Sequence, residues 1–157
     1  MKIFVTGGCG FIGTNFIIKQ INDENNNILN YDKLTYAGNS DNLSSFDNHK
    51  NYTFVNGDIT DFKALKECFF DYKPDAILNF AAESHVDRSI DNPMDFIYSN
   101  IVGTATLLEV STLFYNSLPN SDFRFHQIST DEVYGSLGNT GLFTEKSLYK
   151  PNSPYSA

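Results

Sequence analysis

Near the start of the chain, Lys2-Ile3-Phe4-Val5-Thr6-Gly7-Gly8-Cys9-Gly10-Phe11-Ile12-Gly13 joins a short β-rich run to a cluster of glycines. Gly8, Gly10 and Gly13 satisfy the spacing G-x-G-x-x-G, and Gly7, Gly10 and Gly13 satisfy the wider G-x-x-G-x-x-G. Beyond the glycines, Phe11, Ile12, Phe16, Ile17 and Ile21 recur near the helical period. Strand, tight turn and helix in that order are the fingerprint of a dinucleotide site. Glycine is needed because the turn is sharp, a side chain would block the pyrophosphate, and the helix must bring its N-terminus close to negative charge. Alone, a glycine turn is weak evidence, so its weight depends on the rest of the chain.

That context is an alternation of β and α. The patterning predicts strands over 28–31, 52–55, 76–80 and 123–129, a helix over 62–70, and a long helix from 93 to about 115 with Pro93 in its first turn. Right-handed crossovers between such strands build a doubly wound parallel sheet, an α/β fold of Rossmann type, and 157 residues are enough for one such domain. Ligands of these sheets sit at the carboxyl ends of the strands. Asp32 ends the second strand where an acidic residue accepts hydrogen bonds from the adenosine ribose, and its carboxylate disfavours a 2'-phosphate; NAD is therefore expected over NADP, with Lys33 as the opposing signal. Asp58 and Ile59 follow the third strand and are expected to bracket the adenine. Phe80, Ala81 and Ala82 close the fourth, the alanines being small enough to let a cofactor approach.

Composition narrows the function classes. Eleven Lys and Arg against 19 Asp and Glu give a net charge of -8, which repels nucleic acid in the absence of a basic patch. The sequence has neither an apolar run of membrane-spanning length nor a signal-peptide pattern, and a cytoplasmic location is expected. Cys9 and Cys68 are not placed for a disulfide. His49, His85 and His126 have no metal-ligand spacing, so no metal is expected.

Several runs together resemble the dTDP-glucose 4,6-dehydratase family of the extended short-chain dehydrogenase/reductases. They are Gly7 to Gly13, Asp32-Lys33-Leu34-Thr35-Tyr36-Ala37-Gly38-Asn39, Ala81-Ala82-Glu83-Ser84-His85-Val86-Asp87-Arg88-Ser89, Asn100-Ile101-Val102-Gly103-Thr104 and Ser129-Thr130-Asp131-Glu132-Val133-Tyr134-Gly135. The glycine turn is common to the superfamily; the later runs are far more specific. The resemblance implies NAD as cofactor and a nucleotide sugar as substrate, dTDP-glucose with UDP-glucose as the alternative. It also implies oxidation at sugar C4, loss of water across C5 and C6, and return of the hydride to C6.

It assigns roles residue by residue. Tyr155 matches the base that takes the C4 hydroxyl proton, assisted by a lysine four residues on. Glu132 matches the base that removes the C5 proton, Asp131 the neutral acid that protonates the departing C6 hydroxyl, and Thr130 a hydroxyl that orients the substrate. Adjacent acid and base suit adjacent carbons, provided the two carboxyls differ in protonation. Ser84 matches a position touching both cofactor and substrate. Phe11, Ile12, Leu34, Thr35, Glu83 and Ser99 match cofactor contacts, Ser99 standing where threonine is usual. His85 and Arg88 are open between site wall and scaffold.

The sequence stops at Ala157, before the expected lysine. The last strands and the nucleotide-sugar domain are likewise expected to lie beyond residues 1–157, so the isolated chain is expected not to turn over, with a sheet edge uncovered. The resemblance implies a homodimer built partly through the long helix. Other readings stay open: a non-catalytic NAD-binding module or remnant, or a related epimerase or decarboxylase, neither of which needs Asp131 and Glu132 as an elimination pair.

Overall fold

Strand β1 (Lys2–Thr6) is buried from Ile3 to Thr6 on both of its faces, and β2 (Asn27–Asp32) from Ile28 to Asp32. A strand apolar on both sides has to lie inside a parallel sheet covered by helices. The computed structural model, which describes residues 1–118 and 122–157, has that arrangement. Five strands pair in the order β3-β2-β1-β4-β5, all parallel, with β3 at Tyr52–Asn56, β4 at Ala76–Asn79 and β5 at Arg124–Gln127.

Alternating side chains divide the core between the two faces. Ile3, Val5 and Ile28 meet Ile17 and Ile21 of α1 (Phe11–Ile21) on one side. Phe4, Leu29, Tyr31 and Ile77 meet α2 (Phe62–Tyr72) through Leu65 and Phe69, and α5 (Thr104–Asn116) through Leu107, Val110 and Phe114. Helix α2 is set by its ends: the Asp61 carboxylate accepts from the Ala64 N–H at 3.0 Å, and Lys73 closes it in the left-handed region. Because β1 lies between β2 and β4, the chain leaves it in opposite directions, and the carboxyl end of β1 is the switch point where a ligand crevice opens.

The long helix expected over 93–115 is present, but its middle is wound differently. Short helix α4 (Pro93–Phe96) runs into a π-helical segment (Ile97–Gly103) and then into α5. Its apolar spacing suits either winding, so the sequence pattern did not reveal the change. Three short elements were not expected: helix α3 (Val86–Asp91), a 3-10 helix (Asp131–Tyr134), and a 3-10 helix (Ser40–Phe46) capped by the Asn39 side chain accepting from the Asp41 N–H. Strand β5 is shorter than the predicted 123–129, as suits an edge strand held from one side.

Candidate active site

The glycine turn is shaped by two requirements. Gly7 has φ of 67°, and a Cβ there would lie 2.5 Å from the Ala81 nitrogen. A Cβ on Gly13 would lie 2.4 Å from the Gly7 oxygen, so Gly13 lets α1 pack against the turn. Gly10 differs: its backbone is extended (φ -75°, ψ 169°) and a Cβ would touch only the Gly7 oxygen, at 3.4 Å. Gly10 also begins α1 without a side-chain cap, which leaves amides of the first turn for an anion.

Asp32 ties the turn to the end of β2. One carboxylate oxygen accepts from the Cys9 N–H and the other from the Leu34 N–H, each at 2.8 Å, and the side chain is buried. Each oxygen keeps a second lone pair, so the group can still accept from a ribose diol. The Lys33 ammonium lies 2.9 Å from the Asp58 carboxylate, which engages the cation that would otherwise favour a 2'-phosphate. Burial pushes the Asp58 carboxyl up, but the Thr60 N–H, the Lys33 ammonium and the Thr60 hydroxyl together hold it below its ordinary 3.8. Under the turn, burial raises the Cys9 thiol to about 11, with the Asp32 charge adding to the shift and the Asn30 amide opposing it.

One cavity collects the carboxyl ends of four strands. Gly7 and Gly10 follow β1; Asp32, Lys33 and Thr35 end or follow β2; Asp58 and Ile59 follow β3; Phe80, Ala81, Ala82 and Glu83 follow β4; Ser99 enters from the π-helical segment. All twelve were expected from the sequence. Tyr31, Ala37, Gly38 and Gly57 line it as well and were not. Tyr31 reads as an ordinary strand position, and Gly57 makes room for it, since a Cβ there would lie 2.2 Å from the Tyr31 ring. Phe11 and Ile12 instead turn their side chains to solvent at the start of α1, 83% and 61% exposed. Leu34 and Ser84 sit beside this cavity's residues in sequence, and Gly13 lies one helical turn past Gly10, without lining it. The glycine floor, the free helix N-terminus and the buried carboxylate fit a dinucleotide with an unmodified ribose.

A second cavity adjoins the first, and a third adjoins the second. Ala81 and Ala82 are shared with one that reaches Thr130 and Tyr155. Thr130 is in turn shared with another that holds Asp131, Tyr134 and Tyr149. The Tyr155 ring packs edge-on against Phe96, centroids 6.5 Å apart. Thr130 starts a 3-10 helix (Asp131–Tyr134), its hydroxyl accepting from the Glu132 N–H at 3.2 Å. The structure thus brings Thr130, Asp131 and Tyr155 to adjoining spaces, whereas Glu132 lines none of the three. Among the described residues, no cluster of three or more His, Cys, Asp or Glu is placed to hold a metal, and no helix is long and apolar enough to cross a membrane.

Comparison with known proteins places this geometry in context. The family model described as GDP-mannose 4,6 dehydratase matches residues 4–157. A dTDP-glucose 4,6-dehydratase from Xanthomonas campestris pv. campestris (strain B100) is 51% identical over 156 residues, covering 98% of this chain and 44% of that protein. The chain therefore spans under half the length of this relative. The crystal structure of dTDP-glucose 4,6-dehydratase from Bacillus anthracis str. Ames in complex with NAD superposes with a TM-score of 0.86 at 42% identity, over 99% of this chain and 46% of that one. The UDP-Glc/GlcNAc 4-epimerase from Campylobacter jejuni superposes with a TM-score of 0.87 at 28% identity, over 99% of this chain and 44% of that one.

Proposed function

The chain belongs to the GDP-mannose 4,6 dehydratase family, and from that membership we propose that residues 1–157 are the NAD-binding part of a nucleotide-sugar 4,6-dehydratase converting dTDP-glucose to dTDP-4-keto-6-deoxyglucose and water. The observation that carries this reading is the run of adjoining cavities, in which Ala81 and Ala82 connect the dinucleotide cavity to Tyr155 and Thr130, and Thr130 connects onward to Asp131. The similarity to dTDP-glucose 4,6-dehydratases supports dTDP over UDP.

In this reading Gly10 and the N-terminus of α1 hold the pyrophosphate, Asp32 the adenosine ribose, and Asp58 and Ile59 flank the adenine. Phe11, Ile12, Gly13, Leu34, Thr35, Glu83, Ser84 and Ser99 complete the surround. When bound, NAD takes the hydride from sugar C4 and gives it back at C6. Tyr155 removes the C4 hydroxyl proton, and the resulting ketone makes the C5 proton acidic. Glu132 takes that proton, and Asp131, as a neutral acid, protonates the C6 hydroxyl so that it leaves as water. Thr130 orients the sugar. Glu132 stands next to Asp131 in the chain, and its role rests on family membership.

In the whole protein, the remaining sheet strands and a nucleotide-sugar domain complete the enzyme, a cytoplasmic homodimer. Exposed Met94, Tyr98, Ile101 and Leu108 along the segment from α4 to α5 support the pairing.

The test uses the whole protein with dTDP-glucose in heavy water. Elimination requires a product 18 mass units lighter before exchange, with solvent deuterium at C5; about 18 is the mass of the water lost in the proposed general acid–base step. Glu132→Gln should keep NAD and lose the elimination. A C4 epimer of unchanged mass, carrying no deuterium at C5, would replace this reading with the epimerase one.

A further inference from the structure

Tyr36 lies in the loop after β2 and is 61% exposed, yet it is held by two residues beyond β4, one in a loop and one in α3. Its hydroxyl donates to the Glu83 carboxylate at 3.1 Å, and the Arg88 guanidinium lies 4.0 Å from its ring centroid. Glu83 and Arg88 follow β4. Since the sheet order is β2-β1-β4, any contact between these two loops passes over the end of β1, which is the glycine turn. Thr35 and Gly38 on one side, and Ala82 and Glu83 on the other, line the dinucleotide cavity, so the contact ties together the two segments that border it.

Each side is anchored independently. The Asn100 side chain accepts from the Glu83 N–H and donates to the Glu83 carbonyl, both at 2.8 Å, which fixes that loop to the π-helical segment. On the Tyr36 side, the Asn39 N–H donates to the Cys9 carbonyl at 2.9 Å and the Gly38 N–H to the Thr35 carbonyl at 3.0 Å. Two fixed sides joined by one exposed aromatic residue make a closure that can open without unfolding either side.

We propose that Tyr36, Glu83 and Arg88 form a clasp over the dinucleotide cavity that slows release of the bound dinucleotide. This rests on the NAD-binding reading above. The clasp makes chemical sense there, because an enzyme that takes a hydride away and returns it in one cycle needs its dinucleotide retained throughout. Tyr36 acts as a positioning residue: it holds the two loops together and takes no part in proton transfer.

The experiment measures NAD dissociation from the loaded whole protein, chased with a fluorescent etheno-NAD. Tyr36→Phe keeps the ring beneath Arg88 and loses the bond to Glu83, so release should be about 3-fold faster. Tyr36→Ala loses both contacts and should release about 10-fold faster or more. The thermal midpoint of the NAD-free protein should not move in either variant, which separates a clasp from a structural role. If wild-type protein holds NAD and both variants release it at the wild-type rate, the clasp is wrong and the NAD reading stands. Equal loss of stability in NAD-free and loaded variants would also overturn it. Failure of the wild-type protein to bind NAD at all would overturn both readings.

Discussion

Gly7 and Gly10 lie three residues apart in one turn, and substituting each by alanine should give opposite outcomes. At Gly7 an alanine must adopt φ of 67° with its Cβ 2.5 Å from the Ala81 nitrogen and 2.7 Å from the Ala81 Cα. The left-handed backbone costs about 1–2 kcal/mol. Contact with main chain, which cannot rotate away as a side chain could, adds about 1–3 kcal/mol of overpacking. Gly7→Ala should therefore lose roughly 2–5 kcal/mol, a large share of a domain's stability. At Gly10 the backbone already suits any residue, and the added methyl meets one oxygen at ordinary contact distance. Stability should change by no more than about 0.5 kcal/mol, while the methyl stands in the cavity where the pyrophosphate is proposed to lie. Urea unfolding gives the stabilities, and isothermal titration with NAD gives the affinities. Gly10→Ala should bind NAD at least about 10-fold more weakly, a change of about 1.4 kcal/mol, with its unfolding midpoint unchanged. Unaltered NAD affinity in Gly10→Ala would refute the placement of the dinucleotide over this turn, and wild-type stability in Gly7→Ala would refute the packing argument.

Asp32→Asn leaves one acceptor oxygen for two backbone donors, so either the Cys9 or the Leu34 N–H loses its partner; stability should fall by about 1–3 kcal/mol in urea unfolding, and NAD affinity with it. A variant as stable as wild type would show that Asp32 does not organise the turn. The Asp58 carboxyl is held below its ordinary 3.8, so it contributes stability that is complete above that value and is lost as pH falls through the lower folded value. Urea midpoints measured from about pH 5 to about pH 3 should fall more steeply in wild type than in Asp58→Asn. Parallel acid limbs would remove Asp58 from the account.

The central strands were legible because burial on both faces leaves near-continuous apolar runs, such as Ile3 to Val5. The cavity at the strand ends was legible for a related reason: a doubly wound sheet places its ligand residues directly after its strands, so the positions following β1 to β4 could be read in order. What escaped was decided by tertiary contact. Tyr31 carries the alternating pattern of a core residue, and only its approach to Gly57 brings it to the cavity. The π-helical winding over Ile97–Gly103 keeps the apolar spacing of an α-helix and differs in where it sends Asn100, whose two bonds to Glu83 have no counterpart in local sequence. Thr130 and Asp131 could be picked out by resemblance, whereas the position of Glu132 outside the lining of the cavities depends on the 3-10 turn that follows Thr130.

Since dehydratase and epimerase relatives share this backbone, the sheet by itself does not select the chemistry. The proposed dehydratase chemistry calls for the strip from Ile128 to Glu132 to be held at a set distance from the glycine turn, and three polar residues link the strands that lead to them. Thr6, Asn79 and Gln127 are the last residues of β1, β4 and β5. The Thr6 hydroxyl donates to the Asn79 side-chain oxygen, and the Asn79 amide donates to the Gln127 side-chain oxygen at 2.8 Å and to the Thr104 hydroxyl at 3.4 Å. Thr6 and Asn79 are fully buried, where an apolar pair would leave no polar group to satisfy. Apolar contacts, however, tolerate sliding, whereas hydrogen bonds between side chains fix register along the strands. The rung therefore sets three loops at fixed heights: the glycine turn after Thr6, the Ala81–Ala82 passage after Asn79, and the Thr130–Asp131 strip after Gln127. The proposed reaction, in which an acid meets one particular hydroxyl of a hexose beside a dinucleotide, calls for that alignment, whereas a binding module without chemistry has no such need of it.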